Sequence, residues 1–261
     1  GVEFDSWLQS WLNRLQGDEK LELLSTPAGV RGVLRPYQQY GYSWLYFASR
    51  WGLGVILADD MGLGKTIQAL TMIQQLKEEM GCLPAPILLI CPTSVVTNWE
   101  LEKQKFAPGL QTLVHQGGDR LREAALIEAA KACDVLLTSY ALVRRDGETL
   151  KQIEWFGVIL DEAQNIKNAT TKQAQTIRKL TADFRMALTG TPVENRLSEL
   201  WSIMHFLNPG YLGGQKKFRQ DFILPIEKYG DKDAAQKLRH MTRPFLLRRV
   251  KTDPTVIQDL P

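Results

Sequence analysis

Residues Gly54 to Leu70, GVILADDMGLGKTIQAL, decide the fold of this chain. Val55, Ile56 and Leu57 form a short apolar run between Gly54 and the polar pair Asp59-Asp60, the pattern of a buried strand in a parallel sheet. After the loop Met61-Gly62-Leu63-Gly64 come Lys65-Thr66, and then Ile67, Leu70, Ile73 and Leu76 on one face of a helix. Strand, glycine loop, Lys-Thr and helix together cradle nucleotide phosphates. Glycines let backbone N–H groups approach the phosphate oxygens and the helix N-terminus adds its dipole. Lys65 brings a cation, and Thr66 can hold Mg²⁺. A plain phosphate loop has Gly where Asp59 stands. The competing reading is a glycine-rich connection with a solvated lysine, and the strand–loop–helix context argues against it.

Composition sets the outer bounds. The 261 residues suit one large domain or a core with appendages. A hydrophobic content of 44% with 23% charged residues reads as soluble and globular. No apolar run approaches the ~20 residues that span a bilayer, and no basic segment leads into an apolar one as a signal peptide would. Cys82, Cys91 and Cys133 are isolated, which fits a reducing, cytoplasmic setting and buried small hydrophobes rather than metal ligands. A net charge of +3 permits nucleic acid as a partner without arguing for it, because a phosphate-tracking face can be local. The chain opens on Gly1 and stops at Asp259-Leu260-Pro261, as a cut fragment would.

Taken in order, Phe4, Trp7, Leu8, Trp11, Leu12 and Leu15 predict an amphipathic helix, and Ser25 to Gly32 a linker. Pro36 suits the first turn of a helix carrying Tyr40, Trp44 and Phe47 inward. Gln38 on that helix is either solvated or an adenine reader, since an amide both donates and accepts. Pro86 to Cys91 is a second buried strand. It runs into Pro92-Thr93-Ser94, whose hydroxyls either cap the next helix or contact phosphates. Thr112 to His115 is a short strand with no role assigned to His115, and Asp119 to Lys131 is helical. Asp134 to Tyr140 is a strand ending in hydroxyls, followed by Arg144 and Arg145.

Phe156-Gly157-Val158-Ile159-Leu160-Asp161-Glu162-Ala163-Gln164 is the second strong signal. An apolar strand ending in Asp-Glu puts two carboxylates at the C-terminal edge of a doubly wound sheet, beside the phosphate loop. Asp161 suits a Mg²⁺ ligand, and Glu162 suits the group that orients and deprotonates an attacking water. Phe184 to Pro192 is one more strand with a polar tip, Leu197 to Leu207 is helical, and Tyr211 to Arg243 reads as a helical insertion.

The ordered segments LRPYQQYGYSWL, ADDMGLGKT, LLICPTSVVTNW, LLTSY, VILDEAQNIKN, ALTGTPVEN, LSELWSIMHFLNPGYLG and PFLLRRVK resemble the Swi/Snf-type ATPases of helicase superfamily two, from about Leu34 onward. The phosphate loop alone is unspecific; TGTPVEN, the LW…FLNPG helix and the FLLRR tail in this order are highly specific, and Asp59 is what this family's loop carries. The resemblance implies an α/β fold, a RecA-like parallel sheet with helices on both faces plus helical additions. It implies ATP and Mg²⁺ as cofactors. Gln38 would read adenine, and Asp60, Met61, Gly62, Leu63, Gly64, Lys65 and Thr66 would hold the triphosphate. Thr66 and Asp161 would serve the metal, with Lys65, Asp161 and Glu162 as the catalytic set. Pro92, Thr93, Ser94, Thr138, Ser139 and Tyr140 would line a groove for double-stranded DNA. Gln164, where the family often has His, would couple the two sites together with Gly190 and Thr191.

The expected organisation is a helical extension over 1–27, an ATP-binding lobe over 28–196, a helical protrusion over 197–246 and a linker over 247–261. The family's second RecA-like lobe, which supplies arginine fingers worth about 10³–10⁵ in rate, lies outside these residues. This chain by itself is therefore expected to bind ATP weakly and hydrolyse it negligibly. As part of a nucleoid-associated translocase it would act on a DNA-bound protein target, with no membrane involved. An RNA helicase lobe and a nucleotide-gated DNA-binding scaffold are the alternatives.

Overall fold

The computed structural model describes residues 21–191 and 196–257. The amphipathic pattern of Phe4 to Leu15, and Pro192 of the TGTPVEN segment, lie outside them. Seven strands form one sheet in the order β3-β4-β2-β5-β6-β1-β7, and every pairing is parallel. They are β1 (Val55–Leu57), β2 (Ile87–Cys91), β3 (Thr112–His115), β4 (Val135–Ser139), β5 (Trp155–Leu160), β6 (Ala182–Leu188) and β7 (Leu246–Leu247). All residues of β1, β2, β4 and β5 are buried, which is why they read as continuous apolar runs and not as alternations.

The helices are α1 (Pro36–Arg50), α2 (Lys65–Met80), α3 (Val96–Phe106), α4 (Glu123–Lys131), α5 (Tyr140–Leu150), α6 (Lys172–Arg178) and α7 (Leu197–Leu207). They are followed by α8 (Gln215–Phe218), a π-helical segment Arg219–Lys228, α9 (Lys232–Thr242) and α10 (Pro254–Ile257). The chain steps from β1 to β2 to β3 in one direction and from β3 through β7 in the other. Right-handed crossovers then put α2 and α3 on one face and the helices after β3 on the opposite face. The packing agrees: α1, α2 and α3 touch in series, as do α4, α5 and α6. Helices on both faces bury both sides of the sheet.

Several expectations are refined by the packing. Residues 24–32 have no regular element, yet they are fastened. Leu24 N–H donates to Ser43 Oγ at 3.0 Å, Gly29 N–H to Glu78 Oε1 at 2.6 Å and Arg31 N–H to the Phe106 carbonyl at 2.7 Å. The helix expected from Asp119 begins only at Glu123, because Arg120 is drawn away to Asp146 and to the Gly117 carbonyl. Leu200, Ile203, Phe206, Phe218 and Leu238 belong to the same buried cluster as the strands, so the core has no break at residue 197. The division expected at 247 falls inside β7. Cys91 is buried and its thiol is pushed up to about 12 by burial and by Asp161, whereas Cys82 is exposed. Among the described residues no helix is long and apolar enough to cross a membrane.

Two side-chain clamps hold the sheet's approaches. Asn208, which ends α7, mimics a strand: its Oδ1 accepts from Gly54 N–H at 3.0 Å and its Nδ2 donates to Gly54 C=O at 2.7 Å. Leaving a buried backbone donor or acceptor unpaired costs about 1–3 kcal/mol. Asn208→Ala is therefore expected to lose at least that much stability in denaturant unfolding, and a loss within 0.5 kcal/mol (about the scatter of an inert surface change) would show that water replaces the clamp.

The second clamp is Asp146, at a kink in α5, which accepts from Arg120 Nε at 2.7 Å and pairs with His115 Nε2 at 2.9 Å. Burial, the larger effect, pulls the His115 imidazole below its usual 6.5, against the opposing pull of Asp146. A group that titrates lower folded than unfolded sends protons to the unfolded chain. Stability is then full above about 6.5 and falls as the pH drops through that value. Asp146, held low by Arg120, adds its loss only at more acid pH. The unfolding midpoint should decline from pH 7.5 to 5.5, and decline less in His115→Gln; equal slopes in the two proteins would remove His115 from the account.

Candidate nucleotide site and the adjoining groove

The ends of β1, β6 and β5 lie side by side at the C-terminal edge of the sheet, where ligands of doubly wound folds sit. The loop after β1 carries Lys65, the turn after β6 carries Thr189 and Gly190, and the turn after β5 carries Asp161 and Glu162. Thr189 N–H donates to the Leu57 carbonyl at 3.0 Å, which ties the β6 turn to the β1 loop. Gly190 lies against that loop: a β-carbon there would come within 2.9 Å of Met61 Cγ.

Lys65 opens α2, and its ammonium donates to the Asp59 carbonyl at 2.7 Å and the Asp60 carbonyl at 3.3 Å. Burial pulls its pKa down, while Asp59, Glu162, Asp161 and Asp60 pull it up. The lysine and the Asp-Glu pair thus share one electrostatic site. Thr66 follows, half-buried, and Gly62 and Met61 are exposed at the loop's crest. Leu63 is buried beneath it. Gln38, in the first turn of α1, accepts from Arg35 N–H at 3.0 Å and donates to the Leu63 carbonyl at 3.3 Å. Its amide keeps a second donor and a second lone pair, enough for a bidentate partner.

Asp161 is pinned from three directions. Its Oδ2 accepts from Trp99 Nε1 at 2.8 Å, its Oδ1 accepts from Glu162 N–H at 2.9 Å, and its own N–H donates to the Ile90 carbonyl at 2.8 Å. Burial holds its carboxyl above the usual range and the Trp99 hydrogen bond works against that. Glu162 has left-handed backbone angles, φ 50° and ψ 55°, a conformation that costs a non-glycine residue about 1–2 kcal/mol. Those angles turn the chain sharply from the end of β5 into the short 3₁₀ turn Ala163–Ile166. Gln164 Nε2 donates to Glu162 Oε2 at 2.6 Å, and Thr189 Oγ1 donates to Gln164 Oε1 at 2.9 Å. Thr191 N–H donates to Thr189 Oγ1 at 3.1 Å. Glu162, Gln164, Thr189 and Thr191 form one chain of hydrogen bonds.

The residues expected along a groove divide into two sets. Thr93 and Ser94 are exposed and Pro92 half-buried. Thr138, Ser139 and Tyr140 are buried and their side chains are engaged within the protein. Thr138 Oγ1 donates to the His115 carbonyl at 3.1 Å, Ser139 Oγ caps α5 by accepting from Leu142 N–H at 3.4 Å, and the Tyr140 hydroxyl donates to the Asp161 carbonyl at 2.8 Å. An apolar strand tail reads the same whether its hydroxyls point outward or inward; packing turns those of Thr138 and Tyr140 inward. A groove of about 320 Å³ does run past Thr93, Gly117, Gly118, Arg122, Ser139 and Arg145. Gly117, Gly118 and Arg122 are absent from the expected set, although a Gly-Gly turn followed by basic residues was visible in the sequence. Gln68, Trp99 and Arg249 are further residues of the site; Trp99 closes the LLICPTSVVTNW segment and Arg249 lies in PFLLRRVK, but neither segment by itself shows which residues they bond.

The residues present fit a nucleotide with Mg²⁺. One carboxylate, Asp161, and one hydroxyl, Thr66, beside a lysine suit a hard cation shared with phosphate oxygens, and an all-protein cage is not expected for Mg²⁺. Among the described residues no cluster of His, Cys, Asp and Glu could hold a metal by itself.

Comparison with known proteins agrees with this geometry. The SNF2-related domain model matches residues 37–261. The Bacillus subtilis protein YwqA is 46% identical over 263 residues, covering 100% of this chain and 28% of that protein. The TATA-binding protein-associated factor MOT1 of Saccharomyces cerevisiae is 36% identical over 274 residues, covering 97% of this chain and 14% of that protein. The Sulfolobus solfataricus SWI2/SNF2 ATPase core, solved in complex with double-stranded DNA, superposes with a TM-score of 0.84 at 45% identity over 92% of this chain and 49% of that one. The chain thus spans about half or less of each of these proteins, and its sheet has the RecA-like fold of that ATPase core. By both sequence and fold, this chain belongs to the SNF2-related domain family.

Proposed function

We propose that this chain is the ATP-binding lobe of a motor that double-stranded DNA stimulates and that tracks along it to displace or remodel a DNA-bound protein. The observation that carries the reading is the Tyr140 hydroxyl. It stands at the start of α5 beside the groove and donates to the carbonyls of Asp161 and Glu162 at 2.8 Å and 3.4 Å. A shift of α5 against a phosphate backbone thereby moves the backbone that carries both carboxylates.

In this reading Gln38 holds adenine, and the loop Asp60 to Thr66 holds the triphosphate. Lys65 leaves the two carbonyls it now touches and takes the β/γ-phosphate oxygens. Thr66 and Asp161 would hold Mg²⁺, which would supply charge neutralisation for the triphosphate. Glu162 accepts the proton of the attacking water with the carboxylate oxygen that Gln164 leaves open. Gln164, Gly190 and Thr191 carry the nucleotide state toward the groove. Thr93, Ser94, Arg145 and the Gly117-Gly118 turn track phosphates and not base edges, so binding is sequence-tolerant and falls with salt. Pro92 shapes that rim, and Thr138, Ser139 and Tyr140 support it from within. Alone, the lobe binds ATP weakly and turns over negligibly, because its arginine fingers come from a second lobe.

The deciding experiment is steady-state ATPase of the full-length protein with no nucleic acid, single-stranded DNA, duplex DNA and duplex RNA at matched salt. Strong stimulation by duplex DNA is expected. Stimulation by RNA instead would favour a helicase, and no stimulation by any of them would favour a nucleotide-gated scaffold; either result overturns the proposal. Glu162→Gln should keep ATP affinity within a few-fold and lower kcat by roughly 10²–10⁴, the usual worth of a positioned base. An unchanged kcat would remove Glu162 from its role. Lys65→Ala should abolish both binding and turnover.

A further inference from the structure

Arg249 is buried at the nucleotide loop although it stands 190 residues along the chain from the loop's first acid, Asp59. Asp59 is wholly buried. Arg249 Nε donates to Asp59 Oδ1 at 2.9 Å and Arg249 N–H to the same oxygen at 3.1 Å; Nη2 reaches Asp59 Oδ2 and, at 2.7 Å, Gln68 Oε1. Nη1 donates to the Tyr37 carbonyl, one residue before Gln38. Gln68 passes the contact on, its Nε2 donating to the Gly64 carbonyl at 3.1 Å. One guanidinium therefore holds the start of the phosphate loop, the helix that leaves it and the helix that carries Gln38. The space is closed: a β-carbon on Gly41 would lie 2.6 Å from Arg249 Nη2 and 1.8 Å from Gln68 Oε1.

The contact extends on both sides of Arg249. Ala58 N–H donates to the Leu247 carbonyl at 2.7 Å, Asp60 N–H to the Arg249 carbonyl at 3.0 Å and Lys251 N–H to Asp60 Oδ2 at 3.0 Å. Val256 of α10 is buried with Tyr37 and Leu63. The segment 247–256 is laid along the whole rising limb of the loop.

We propose that Arg249 is a positioning residue of the nucleotide site, acting through Asp59, Gln68 and Tyr37, so that nucleotide binding and the seating of residues 247–256 are coupled. The inference rests on the ATP-site reading above. Arg249 does not touch phosphate; it fixes the groups that do. Coupling is reciprocal: a seated tail raises nucleotide affinity, and bound nucleotide holds the tail down. A lysine cannot substitute, because only the planar fork of a guanidinium serves Asp59, Gln68 and Tyr37 at once.

The test is amide hydrogen exchange of the full-length protein with and without a non-hydrolysable ATP analogue and Mg²⁺. Exchange should slow both in peptides covering residues 59–66 and in peptides covering 247–253, where the Arg249 and Lys251 amides are bonded to Asp59 and Asp60. Slowing in the loop without slowing in the tail overturns the coupling and leaves the ATP site standing. Slowing in neither overturns the ATP-site reading itself. Arg249→Lys should raise the Kd for the analogue roughly tenfold, within the 5–150-fold range of coupled sites. An unchanged Kd in that variant also overturns the proposal, and should the variant not fold, exchange in the unmodified protein still decides.

Discussion

The ion pair between Asp59 and Arg249 is the constraint on which the rest of this lobe depends. Both side chains are out of water, so neither can stand alone: removing one partner of a buried pair costs about 3–5 kcal/mol through the charge left behind. The pair joins the first strand of the sheet to the last. β1 thereby gains neighbours on both sides, β6 and β7, and becomes an interior strand. A short interior strand is the stiffest platform the fold offers, and the phosphate loop is its direct continuation. Gln68 completes the arrangement, donating to Asp59 Oδ2 at 3.3 Å while accepting from Arg249. The hydrogen-bonding demands of all three side chains are met among themselves and with nearby carbonyls.

Charge at the sheet's edge is arranged on a similar principle. Asp161 and Glu162 repel one another and burial disfavours ionisation of Asp161, while Lys65 opposes both. Among the described residues no cationic side chain is bonded to Asp161. The protein supplies neutral donors, the Trp99 indole and the Glu162 N–H, that support a carboxylate and leave lone pairs unspent. Lys65 rests on backbone carbonyls, partners that give way more readily than a carboxylate would. In the proposed nucleotide site a pre-formed lysine–carboxylate bridge would have to be broken on binding, and carbonyl partners would avoid that cost.

Much of this was legible in the chain. β3 and α7 fall where their apolar patterns place them, and Ile67, Leu70, Ile73 and Leu76 all turn inward on α2. Lys65 and the Asp161–Glu162 pair share one edge because a strand–helix repeat leaves them there. What remained hidden is of one kind: contacts between residues far apart in sequence. Asp59 departs from a plain phosphate loop, and the reason for it stays hidden in the sequence because its partner, Arg249, lies in the tail. His115 showed no partner because Asp146 sits in a helix kink that periodicity cannot display. Thr138 and Tyr140 looked like surface hydroxyls because a strand's end gives no hint of which way it turns. An acid replacing glycine in an otherwise apolar strand end was the available clue, since a buried carboxylate requires a cation or several donors.

The same reasoning applies to Gln164, the residue that bridges Glu162 and Thr189. A linker between Glu162 and Thr189 must donate on one side and accept on the other. A neutral imidazole does so in one tautomer only, and once protonated it has two donors and no acceptor. The amide of Gln164 keeps one of each at every pH, donating to Glu162 at 2.6 Å and accepting from Thr189 at 2.9 Å. A glutamine here therefore completes the hydrogen-bond chain without placing a titratable group beside the proposed base. Glu162 itself, held in a left-handed turn by Asp161 below and Gln164 beside it, has little freedom to relax. The strain at that residue persists because the surrounding donors over-determine its position, and the proposed coupling through Tyr140 would depend on that rigidity.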